Sequence, residues 1–171
     1  KEEAKINGTA EERAAKLKRF REALVPRNLF GGAVPDRAYY SQKLGRYLVI
    51  FLSVNHLTSN YLTEMSEGEL KWLDEELSDK DNRDAPTIIF YHAPLAGTLG
   101  DDKRKNFFAQ PEDGIRKIIS RHKQVFLWVS GHTHTSPESP YFTSRYKYLN
   151  QVTNIHNSPL ASPVKVTNSL Y

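Results

Sequence analysis

The sequence predicts a mixed α/β layered domain. Three short apolar runs, Tyr47–Leu52 (YLVIFL), Thr87–Tyr91 (TIIFY) and Val125–Val129 (VFLWV), have the length and β-branched content of buried strands. Segments of helical periodicity separate them, and strands that alternate with helices imply layers of both. The runs do not alternate apolar with polar residues, so helices or a second sheet are expected to cover both faces. The length of 171 residues suits a single domain, 1–171, with its own core.

The elements follow in order. Thr9 and Glu12 fit a capping box, and Ala14, Leu17, Phe20 and Leu24 recur at helical spacing, which predicts a helix over 11–24 that Pro26 ends. Phe30–Pro35, with Gly31 and Gly32, reads as a loop. Tyr39–Leu44 is a strand, and Gly45-Arg46 is a two-residue turn into the stronger strand Tyr47–Leu52. Ser66 and Glu69 form a second capping box, and Leu70, Leu73 and Leu77 give the helix after it one apolar stripe. Asp79–Asp84 is a charged loop. Pro111 opens a third helix with Ile115, Ile118 and Ile119 on its buried face. After Val129 the chain is polar and turn-rich to about Tyr146, and weaker strands are expected near Val152–Ile155 and Val164–Val166.

Composition excludes several classes of function. The absence of cysteine removes disulfides, thiolate metal sites and a cysteine nucleophile, so any metal must sit on His, Asp, Glu or Asn. No run of ~18 apolar residues is present to span a membrane. The segment Lys1–Arg27 is highly charged and has no apolar core of a signal peptide; a soluble, cytoplasmic protein is expected, or a secreted one if a longer parent carries a signal peptide. The net charge is +4, with Lys16, Lys18, Arg19 and Arg21 as the densest basic cluster. That cluster reads as the solvated face of an amphipathic helix. A nucleic-acid partner is not expected, because stacking aromatics do not interleave the basic residues.

The residues that carry chemistry lie past the carboxyl ends of the two most buried strands, where ligand sites gather in α/β sheets. The first strand runs into Tyr91-His92-Ala93-Pro94-Leu95, the second into Ser130-Gly131-His132-Thr133-His134. A lone histidine at a strand end is more often a satisfied polar residue than a ligand. Two buried strands that both end in histidine form a constellation. In extended backbone, residues i and i+2 project the same way, so His132 and His134 are expected to point into one site, with Gly131 allowing a sharp turn before them. Neutral imidazole suits Zn, Fe, Mn or Ni, and Thr133 and Thr135 are candidate supporting hydroxyls. His122 reads as structural, and His56 and His156 are given no role.

G-H-T-H at 131–134 resembles the closing metal motif of the calcineurin-like metallophosphoesterases, and Y-H-A-P-L at 91–95 resembles that family's earlier His-x-Pro-Leu element. The strand YLVIFLS, the helix E-L-K-W-L-D-E-E-L at 69–77 and T-I-I-F-Y-H follow in the family's order, so the resemblance covers roughly Phe20 to Pro163. It implies a phosphoric ester hydrolase with two divalent or trivalent metal ions (Mn, Fe, Zn or Ni) and the C-terminal half of a four-layer α/β/β/α sandwich with mixed sheets. In such enzymes a metal-activated hydroxide attacks phosphorus. Carried over by motif, His92 and His132 would ligate one ion and His134 the other, with no catalytic residue in this chain. The family's Asp-x-His, Gly-Asp-x-x-Asp and Gly-Asn-His-Asp/Glu motifs are absent, and Asn55-His56 lacks the flanking Gly and acid of the last.

Three histidines alone cannot hold two ions, so the chain is expected to be an inactive fragment of an active parent. The alternatives are a single-zinc site on His92, His132, His134 and water, or a non-catalytic module of the same fold. The substrate class beyond a phosphate ester is not legible. Lys103, Arg104 and Lys105, in the loop Gly97–Asn106, read as a solvated basic loop more readily than as phosphate contacts. A half-sandwich would expose apolar sheet, so the fragment is expected to homodimerise or to cover that surface with loops such as Ser136–Tyr148.

Overall fold

A computed structural model of the chain describes residues 8–24, 38–55, 57–99, 107–144 and 148–158, without the side chains at 20, 21, 23 and 24. The expected loop Phe30–Pro35, the stop at Pro26, His56, the basic residues Lys103, Arg104 and Lys105, and the strand Val164–Val166 lie outside the described residues.

Helix α1 (Ala10–Leu24) starts at the expected box: Thr9 N–H donates to Glu12 Oε2 at 2.9 Å, and Glu12 N–H donates to Thr9 Oγ1 at 3.3 Å. Its expected apolar stripe is not buried where described, since Ala14 is exposed and Leu17 only half-buried. Periodicity reports which residues could share a face, not whether a neighbour meets that face. The basic residues Lys16 and Lys18 are exposed, and Lys18 pairs with Glu22 at 3.9 Å, as a solvated face would.

Strands β1 (Tyr40–Leu44) and β2 (Tyr47–Phe51) form an antiparallel hairpin in which Tyr40 faces Phe51 and Leu44 faces Tyr47. Gly45 enters the two-residue turn at φ 59°, a conformation that a residue with a Cβ adopts only at a cost. Helix α2 (Glu67–Ser78) then leads to β3 (Thr87–Tyr91), and helix α3 (Glu112–Arg121) to β4 (Val125–Ser130). Both crossovers produce parallel pairing, and β5 (Thr153–His156) adds a further parallel strand. The sheet therefore runs β1-β2-β3-β4-β5 in sequence order, mixed only at the hairpin.

Successive crossovers in one direction place α2 and α3 on the same side of the sheet. Leu48, Ile50, Ile89 and Trp128 from the strands pack there with Trp72, Leu73, Leu77, Ile115 and Ile119 from the helices in one core cluster. At the amino ends of the strands, His122, the C-cap of α3, meets Asp74 of α2 at 2.7 Å, and Arg121 meets the other Asp74 oxygen at 2.8 Å. His122 is thus structural, as expected.

The opposite face departs from expectation. Phe90 and Phe126 are 36% and 39% exposed, so no layer covers this side among the described residues. Tyr40, Phe51 and Phe90 instead stack across three strands, with ring centroids 4.8 and 5.1 Å apart. In the segment expected as a covering loop, residues 142–144 pair along β5, where Thr143 bridges Ile155, and both phenylalanines stay in the open.

These two faces should respond differently to truncation. Leu73→Ala should lower unfolding free energy in urea by about 2–5 kcal/mol, and Phe126→Ser by less than about 1 kcal/mol. Comparable losses at the two positions would show that self-association covers the second face in solution.

Candidate functional site

The parallel register of β3 and β4 places Tyr91 opposite Ser130, so both motif loops leave the sheet at one edge. Gly131 N–H donates to His92 O at 3.0 Å and ties the loops together one residue beyond the strands. His92 Nε2 and His132 Nδ1 then meet at 2.9 Å, with ring centroids 4.8 Å apart. At that distance one nitrogen donates and the other accepts. The Phe107 ring lies 5.5 Å from that of His132.

The backbone route to this pair is not the extended one the sequence suggested. β4 ends at Ser130, and His132 and His134 sit in left-handed backbone at φ 62° and 51°. The same-side rule for extended residues therefore does not apply to them. The sharp turn falls on the histidines themselves rather than on Gly131. Left-handed backbone costs a residue with a Cβ roughly 1–2 kcal/mol, and such strain concentrates at functional sites. His134 is exposed, and among the described residues no three His, Asp or Glu side chains converge closely enough to hold a metal ion. Thr133 and Thr135 bond each other at 2.9 Å through their hydroxyls.

Two imidazole nitrogens each ~2.0–2.1 Å from one ion lie about 3 Å apart, so the His92–His132 contact opens into shared coordination with little movement. The pair fits one ion as part of a ligand set, and the described residues do not complete that set. An open cleft of about 240 Å³ lies beside it, with Phe51, Leu52, Phe90 and Val129 as an apolar wall and His92, Ser130, Gly131 and Asn157 at its polar end.

Beneath this edge lie buried polar groups that the sequence did not flag as such. Glu69, read as a capping residue, is 1% exposed. Its N–H donates to Ser66 Oγ as a cap requires, while its carboxylate accepts from Ser53 N–H at 2.6 Å, just past β2. Burial pushes the carboxyl up to about 8, against the opposing pull of the Ser53 and Ser66 N–H groups; only the Ser53 contact has good hydrogen-bond geometry. The Tyr91 hydroxyl is buried without a hydrogen-bond partner among the described residues, and burial, then the charges of Glu69 and Glu64, raise it well above its ordinary value. His156 is fully buried at the end of β5, and neither ring nitrogen has a described partner. Desolvation drives its pKa down to about 4, against an opposing pull from the nearby Thr98 backbone.

Among solved structures, the chain is similar to the crystal structure of a dimetal phosphatase from Danio rerio, with a TM-score of 0.55 and 17% identity over 88% of this chain and 59% of that one. At that identity the likeness shows a shared fold. The chain spans about three fifths of the length of that phosphatase. No protein-family model matches the chain, and no curated protein matches it significantly. No helix among the described residues is long and apolar enough to cross a membrane.

The two perturbed groups give stability a signature in pH. Glu69 keeps its proton in the folded state between about pH 4.5 and 8, where the unfolded carboxyl has lost it, so its contribution is full below 4.5 and declines as pH rises through 8. His156 acts in the other direction: its contribution is full above 6.5 and is lost as pH falls through 4. Of these two groups, only Glu69 changes its contribution between pH 6.5 and 8. Urea unfolding should therefore show a loss on the order of 1–2 kcal/mol across that window, absent in Glu69→Gln. A wild-type stability that is flat over the window would refute the buried protonated carboxyl.

Proposed function

We infer that this chain supplies His92, His132 and His134 to a two-metal centre that hydrolyses phosphate esters. The observation that carries the reading is the His92–His132 contact at 2.9 Å, made by two loops that leave adjacent parallel strands at one edge. The ordered motifs, the shared fold with a dimetal phosphatase and the metal-compatible nitrogen spacing support it together.

His92 and His132 would hold one ion as neutral imidazoles, and His134 would be a ligand of the second. When bound, such a pair of ions stabilises the charge of phosphoryl transfer and lowers the pKa of water. The chain's own part is to aim imidazole nitrogens and to keep their backbone fixed. The remaining ligands come from residues beyond those described, in a partner layer that also covers the face of Phe90 and Phe126. The chain is then one half of a four-layer sandwich and inactive by itself. A single zinc on all three histidines has less support, because His134 does not converge with the other two.

The test compares the natural polypeptide that contains this chain with the 171-residue chain alone. The former should hydrolyse an aryl phosphate with Mn, Fe, Zn or Ni. His132→Ala should lower its turnover by more than about 100-fold, beyond the usual cost of losing an outer partner of a ligand. The chain alone should match a metal-only buffer. Metal-dependent turnover by the chain alone, lost in His134→Ala, would favour the single-zinc site, and a natural polypeptide that takes up no metal would overturn the reading.

A further inference from the structure

Asn154 sits inside β5 and is fully buried, although amide side chains are depleted from strand interiors. Its side chain is spent on the two loops that carry His92 and His132. Oδ1 accepts from Leu95 N–H at 2.8 Å, and Nδ2 donates to Ser130 Oγ at 2.8 Å. A peptide N–H can only donate, which fixes the carbonyl end of the amide toward Leu95 and leaves the NH₂ end for the Ser130 hydroxyl. The Asn154 backbone is pinned as well: its N–H donates to Ser144 Oγ, and its C=O accepts from Ser144 N–H, both at 2.8 Å.

Each contact leads directly to the pair. Leu95 is three residues past His92, and Trp128 Nε1 holds the same loop through Ala93 O at 3.0 Å. Ser130 closes β4 one residue before Gly131, whose N–H donates to His92 O. The loops therefore meet twice, once through the backbone and once through the Asn154 amide. A buried amide that lost either partner would bear a desolvation penalty, so the side chain has one satisfactory orientation.

We propose that Asn154 is a positioning residue for the His92–His132 pair, setting the spacing of the two loops through one buried amide. Its consequence for catalysis rests on the phosphoester reading above, while its effect on the pair does not.

The test uses the metal-free 171-residue chain, read by amide hydrogen exchange and by NMR of the histidine rings. Asn154→Leu, close in size but without polar atoms, should raise exchange at Leu95 N–H at least 10-fold and shift the His92 and His132 ring signals. The His122 ring, held by Asp74 at the opposite end of the strands, should not move. Ser130→Ala keeps the Leu95 bond and removes the other, so it should shift the His132 ring while Leu95 stays protected. Unchanged exchange at Leu95, or faster exchange with unmoved His92 and His132 rings, would overturn the proposal. So would a common shift of all three rings, which would mark a general loss of packing. If Asn154→Leu does not fold, Ser130→Ala decides alone: movement of His132 without His122 supports the role, and movement of neither or both refutes it. None of these readouts involves metal or phosphate. An inert natural polypeptide would overturn the functional reading and leave this one standing, and unmoved rings would do the reverse.

Discussion

Parallel pairing of β3 with β4 puts the carboxyl ends of both strands at the same edge of the sheet, and the rest of the site depends on it. Tyr91 lies opposite Ser130, so the next residues, His92 and Gly131, leave the ladder side by side. The Gly131 N–H to His92 O bond continues the pairing by one step after the strands have ended. From there the left-handed backbone of His132 brings its ring back against that of His92. A shift of one residue in this register would send one loop to the opposite face. The register is held by fully buried Ile89 and Trp128, which face each other across the pair. Burial of the core thus positions the histidines without help from a ligand.

The core that fixes this register occupies one side only. Residues that point toward α2 and α3 are almost completely shielded, while Phe90 and Phe126 on the other side keep more than a third of their surface in contact with solvent. Aromatic stacking across β1, β2 and β3 hides part of this face, since each ring shields its neighbour. That is partial relief: rings stacked along the sheet do not replace a layer packed over it. The cleft beside the histidines opens onto the same face, with Phe51, Phe90 and Val129 in its wall. The uncovered apolar face and the histidine pair lie on the same side and at the same edge.

Much of this was legible in the sequence, for reasons that differ by element. The runs TIIFY and VFLWV became β3 and β4 almost residue for residue, because β-branched and aromatic residues flanked by Pro86 or a helix have no competing periodicity. The hairpin was legible from Gly45, and α2 from its cap. The histidine pair was legible because two strand ends carried the same residue type. What was not legible depended on tertiary neighbours. The stripe of α1 looked amphipathic, yet Ala14 is exposed. Glu69 had the spacing of a capping box, and nothing local revealed that its carboxylate would turn inward to Ser53. The left-handed turns at His132 and His134 could not be read from Gly131, which attracts the expectation of a sharp turn without taking one. Asn154 did carry a signal, a buried-strand position filled by an amide, which periodicity alone passes over.

The distribution of polar groups separates the two ends of the sheet. At the amino ends of the strands, partly buried polar groups are paired: Asp74 with His122 and the exposed Arg121, Gln124 with Leu77 O, and Gln151 with the carbonyls of Ile119, His122 and Val125. The carboxyl ends hold Glu69, Tyr91, Asn154 and His156, of which Tyr91 and His156 lack described partners. Among the described residues, every buried side-chain nitrogen or oxygen without a hydrogen-bond partner belongs to those two. An unpaired buried polar group costs on the order of 1–3 kcal/mol, and a left-handed histidine adds strain of similar size. A fold selected for stability alone would fill these positions with apolar side chains, as it does at Ile89 and Val125. Left-handed backbone does not separate the two ends, since Leu149 and Asn150 before β5 adopt it as His132 and His134 after β4 do, but the unpaired buried side-chain groups among the described residues gather at the carboxyl edge. The histidine pair lies at the same edge.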